Sequence, residues 1–117
     1  MIKMNEEDLR QLIKNIKEAE FVILDKMKIF NKLKHDVDVT KTSIMSNIAS
    51  EDGADGKPKY SNQTKRDAAF LVQTSESSEY TKALLDIDNS GYELDALRIE
   101  LQDLKYNFRM QEILSRI

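Results

Sequence analysis

The chain has 117 residues, a formal net charge of −3, 33% charged and 7% aromatic residues, and only three Gly and one Pro. A chain with few breakers and many Leu, Ile, Lys and Glu is expected to form long helices. It has no cysteine, which excludes disulfides, zinc-thiolate sites and thiol nucleophiles.

The first predicted element is a helix from about residue 5 to residue 49. Steps of seven from Leu9 reach Ile16, Ile23, Phe30, Val37 and Ile44, all apolar. Steps of seven from Leu12 reach Ala19, Lys26, Leu33, Thr40 and Asn47, apolar only in part. One complete apolar row beside partial rows is the stripe of a long helix in a bundle or coiled coil. Asn5 before Glu6, Glu7 and Asp8 supplies a capping side chain and then acids against the positive helix end. With the same acids and no apolar run from Met1 to Arg10, this segment is not expected to act as a signal peptide. No stretch has the ~20 apolar residues of a membrane span. A cytoplasmic protein is expected.

Residues 50–60 form the predicted tip of a hairpin. Ser50–Lys59 holds Gly53, Gly56 and Pro58 among acids and lysines, a surface turn. A short helix is predicted at about 62–73, with Ser61 or Asn62 as its cap. Thr74–Ser78 breaks the pattern. A last helix is predicted at about 77–116. From Tyr80, steps of seven give Ile87, Leu94, Leu101 and Phe108; from Ala83 they give Ser90, Leu97, Leu104 and Gln111. Its weak point is Asp88–Gly91, because glycine costs a helix about 1 kcal/mol relative to alanine. The fold class is therefore all-α: one domain, a long antiparallel helical hairpin with a short extra helix, coiled-coil-like. Phe21, Val22, Leu24 and Ile29 lie outside the main apolar row, while Ile113, Leu114 and Ile117 extend the last helix. One partner helix cannot cover so many directions, so a homo-oligomer packed through the long helices is expected.

Three chemical readings fail on the residues. Asp86–Gly91 matches the start of a calcium loop, but Glu93 and Leu97 stand where the loop needs an apolar residue and a bidentate acid. His35, the only histidine, has no nucleophile motif to serve. A ferritin-like metal site needs Glu-x-x-His pairs, and Lys32 stands three residues before His35. No Gly-rich phosphate loop or dinucleotide fingerprint occurs. The sequence implies no enzyme, no cofactor and no small-molecule substrate.

One feature points to a ligand. From Lys26 to Arg66 nine basic residues face five acidic ones, a segment of +4 between flanks that sum to −7. Folding back at the tip would gather Lys34, Lys41, Lys57, Lys59, Lys65 and Arg66 near Tyr60 and Asn62. Cations neutralise phosphates, a phenol ring stacks on a base, and an amide bonds to either.

Lys59-Tyr60-Ser61-Asn62 followed by Lys65-Arg66, then a helix, a Ser-Glu-Tyr turn and a heptad helix, resembles small phage and prophage proteins with the pattern Tyr-Ser-Asn, three residues, Arg. In architecture these are similar to UvsY-type recombination mediators. The resemblance covers Tyr60, Ser61, Asn62 and Arg66 specifically. It implies a ring-like helical oligomer that assists phage-type recombination or replication, acting on single-stranded DNA or a DNA-bound protein. The net charge departs from the family expectation, being negative where a DNA-wrapping mediator would be basic. The alternative is an acidic helical partner protein that scaffolds or inhibits another protein by mimicking nucleic-acid charge.

Overall fold

A computed structural model describes residues 2–117. Three helices follow one another: α1 (Glu6–Ser50), α2 (Gln63–Glu76) and α3 (Ser78–Ser115). The fold class is all-α, as the apolar periodicity predicts. Among the described residues no helix is long and apolar enough to cross a membrane. The chain divides into two compact units, Met1–Phe30 with Ser90–Ile117, and Asn31–Asn89.

Helix α1 begins where its sequence says it should. The Asn5 side-chain oxygen accepts the Asp8 N–H at 2.8 Å, and Glu6, Glu7 and Asp8 occupy the first turn. The predicted row turns inward along its whole length: Ile23 and Val37 are buried, while Leu9, Ile16, Phe30 and Ile44 are half-buried. The second row turns inward only as far as Leu33. Thr40 and Asn47 are exposed, and buried Ile48 takes over their place. An α-helix of 3.6 residues per turn drifts against a strict seven-residue repeat, so the inward stripe moves by one position near the helix end.

In the first unit α1 and α3 run antiparallel. Lys26 Nζ pairs with Glu93 at 2.9 Å, and the segment before α1 reaches Gln111 near the end of α3. Gln111 is a polar residue at a seam position, 3% exposed. Its Oε1 accepts the Met4 N–H at 2.8 Å and its Nε2 donates to the Ile2 carbonyl at 3.0 Å. Two bonds to backbone satisfy the buried amide and fix how the chain approaches α1.

All ten seam positions of α3, from Tyr80 and Ala83 to Phe108 and Gln111, are buried or half-buried. The helix is continuous through Asp88–Gly91, so the weak point predicted there is absorbed without a break. A Cβ on Gly91 would meet the Phe30 ring at 3.6 Å, an ordinary van der Waals contact. Gly91→Ala should therefore raise stability by about 0.5–1 kcal/mol through helix propensity, read as a higher urea midpoint. Loss of stability would mean that the Phe30 ring cannot accept the added methyl.

In the second unit α2 runs back along α1. Met45 and Ala49 share a cavity with Gln63 and Arg66, and Lys41 Nζ lies 5.9 Å from the centre of the Phe70 ring. Thr74–Glu76, expected to break the helix, belongs to α2. The Thr74 hydroxyl donates to the Phe70 carbonyl at 2.8 Å, so this buried polar side chain is satisfied inside the helix. The break shrinks to Ser77, whose extended backbone (φ −87°, ψ 108°) ends α2. Its N–H donates to the Thr74 carbonyl and its Oγ accepts the Tyr80 N–H, both at 3.2 Å. One serine thus closes α2 and caps α3.

The loop between α1 and α2 is closed by backbone bonds. Lys59 N–H donates to the Glu51 carbonyl at 2.9 Å and Gly53 N–H to the Lys57 carbonyl at 2.7 Å. Gly56 turns the chain at φ +77°, a conformation that costs a side chain but not glycine.

Candidate nucleic-acid interface

The loop delivers two of the predicted site residues as one unit. Lys59 Nζ sits 3.2 Å from a Glu51 carboxylate oxygen and 5.4 Å from the Tyr60 ring centre. The hydrogen bond to Glu51, then that to Tyr60, hold the Lys59 ammonium above the usual lysine pKa. Both Lys59 and Glu51 are exposed, so the pair positions the side chain more than it stabilises the fold. Tyr60 is half-buried, and its carbonyl accepts a bond from Arg66 Nε at 3.2 Å.

Asn62 ends the loop and starts α2. Its extended backbone (φ −141°, ψ 168°) and its Oδ1, accepting the Lys65 N–H at 2.9 Å, make it the cap. Its carbonyl oxygen is thereby committed to the helix. Asn62→Ala should cost about 1 kcal/mol of stability, and Asn62→Asp should restore most of it, since both natural residues cap well. Thermal melts of the two variants separate the cap from any ligand contact.

The predicted residues do not gather in one place. Lys59, Tyr60 and Lys65 line one open groove of about 470 Å³ together with Ala68, Ala69 and Val72. Arg66 lines a different cavity, of about 250 Å³, with Met45, Ile48 and Gln63, and its Nε donates to the Tyr60 carbonyl. Lys41 lies over Phe70, whose ring meets Tyr80 edge-on with centroids 6.3 Å apart. Lys34 is exposed and two helical turns before Lys41, roughly 10 Å along the axis. Lys57 is exposed, with its N–H bonded to Asp55 at 3.0 Å.

Three contributors escaped the sequence reading. Glu51 counters Lys59; the signal was its spacing of eight residues across a Gly-containing loop, which hairpin-like closure turns into adjacency. Ala68 and Val72 give the groove its apolar part, and they follow Lys65 at helical spacings of three and seven. Charge also changes with folding. The second unit holds eight Lys or Arg and ten Asp or Glu, because α2 and the start of α3 bring acids to the basic segment. The unit as a whole is not basic, and the groove brings together two of its eight cations, Lys59 and Lys65.

His35 is exposed. Asp86–Leu97 lies wholly within α3, with Leu94 buried where a calcium loop would be irregular. No cluster of three or more His, Cys, Asp or Glu suited to a metal ion occurs among the described residues. No family model matches the chain, and no curated protein or solved structure is significantly similar to it.

Proposed function

We propose that this protein is a non-enzymatic accessory factor that contacts single-stranded nucleic acid, in the manner of phage-type recombination and replication mediators. The observation that carries the reading is the grouping of the Tyr60 ring with the Lys59 and Lys65 side chains in one open groove. A ring offers a base a stacking face, two ammonium groups can neutralise adjacent phosphates, and Ala68 and Val72 present apolar surface to a sugar or base. Acids dominate the rest of the second unit, so contact is confined to the groove and binding per chain is weak.

The test is fluorescence anisotropy of a labelled single-stranded oligonucleotide over a salt series. Each phosphate neutralised on a single strand contributes about 0.7 to the slope of log K against log salt. Lys65→Ala should lower the slope by about that amount. An unchanged slope would remove Lys65 from the interface.

A second reading rests on the excess of acids in the second unit: an acidic helical protein occupying a basic surface on a protein partner. A pull-down with and without nuclease separates the two. Nuclease-resistant capture that Lys65→Ala leaves intact favours the acidic surface.

A further inference from the structure

Helix α3 carries a second apolar row that the hairpin does not use. Steps of seven from Tyr92 reach Ile99, Tyr106 and Ile113. These side chains are 73%, 60%, 61% and 42% exposed, while Leu94, Leu97, Leu101, Leu104 and Phe108 of the same helix turn inward. The positions between them at alternating spacings of four and three, the spacing of a coiled-coil seam, are Ala96, Asp103 and Met110, apolar at both ends and acidic in the middle. The row covers three heptads, roughly 32 Å of helix, the shortest run over which such a repeat argues for a coiled coil. The exposed apolar residues of α1 form no comparable row: steps of seven from Phe21 meet Lys28 and His35, and from Leu24 meet Asn31 and Asp38.

Charge beside the row identifies what covers it. The neighbouring steps of seven read Asp95, Gln102, Arg109 and Arg116, acidic at one end and basic at the other. At the basic end Lys105, Arg109 and Arg116 line an open groove of about 430 Å³ with Ile113, and the one acid there is Glu112. At the acidic end Asp95 has only an exposed partner on its own helix, Arg98 at 3.6 Å. A helix whose flank changes sign halfway is complementary to itself in the reversed direction. Parallel packing would gather Asp95 and Glu100 of both copies at one end and the arginines at the other.

We propose that the outer face of α3 is a self-association surface, and that its occupant is α3 of a second copy of this chain, packed antiparallel about a two-fold axis near Gln102. Tyr92, Ile99, Tyr106 and Ile113 form the centre of the contact. Asp95 of each copy enters the Lys105–Arg109–Arg116 groove of the other. Such an interface is isologous and closed, and aromatic residues with a polar tip suit a contact whose rim stays wet. The inference does not depend on nucleic-acid binding, and its test contains no nucleic acid.

The test is sedimentation equilibrium at micromolar concentration on the wild type and on the double variant Ile99→Glu/Tyr106→Glu. Both positions are exposed, so helix content by circular dichroism should be unchanged. The wild type should associate and the double variant should be monomeric. Because the chain lacks cysteine, Tyr92→Cys and Ile113→Cys each introduce a single thiol. A short thiol-reactive crosslinker should join Tyr92→Cys chains to Ile113→Cys chains in a mixture, and neither variant to itself. A monomeric wild type, a double variant that associates as the wild type does, or crosslinks between like variants would each overturn the proposal.

Discussion

Leu94→Ala should destabilise the protein by about 2–5 kcal/mol, the range for deleting a fully buried leucine side chain and leaving a cavity. Leu94 is 2% exposed and sits mid-row on the inward seam of α3. The cost has two parts, the lost transfer of apolar carbon from water and the contacts that neighbouring side chains cannot remake. Leu24→Ala deletes the same atoms from a side chain that is 52% exposed and should change stability by no more than about 0.5 kcal/mol. Urea unfolding followed by circular dichroism measures both. Equal losses would mean that α3 does not pack through the seam described, because the two substitutions differ only in burial.

The second large effect is on binding. Tyr60→Ala should weaken single-stranded nucleic-acid binding by about 1–3 kcal/mol, the value of one base–aromatic stack. Tyr60 is half-buried beside Lys59, so one part of its ring faces an ammonium and the rest borders the groove. Tyr60→Phe separates the two properties of the side chain: it keeps the stacking face and removes the hydroxyl. Binding should survive in Tyr60→Phe and fall in Tyr60→Ala, with helix content equal in both. Loss in both variants would assign the contact to the hydroxyl instead of the ring.

The helices were legible because their cause is local and periodic. A row from Leu9 to Ile44 can only be one face of a helix, and the paired rows of α3 turn inward at every position. The shift of the stripe to Ile48 was not legible, since it depends on how far the helix drifts against its neighbour. Thr74–Glu76 read as a breaker by composition, yet a threonine hydroxyl can bond back to its own helix, and that choice is made by burial. The groove proposed as the interface was legible as a charge excess and not as a shape. Lys65 and Arg66 are adjacent in sequence and so line different cavities, since neighbouring residues on a helix point about 100° apart. Asn62 had two roles open to it, and the cap takes its oxygen. The outer row of α3 is visible in the sequence, but its meaning depends on knowing which face the hairpin already covers.

Anisotropy of a labelled single strand at low salt, comparing the wild type with Tyr60→Ala/Lys65→Ala, tests the central claim most directly. The wild type should bind, binding should weaken as salt rises, and the double variant should lose it while its circular dichroism stays the same. No binding by the wild type at low salt, or equal binding by the two proteins, would contradict it.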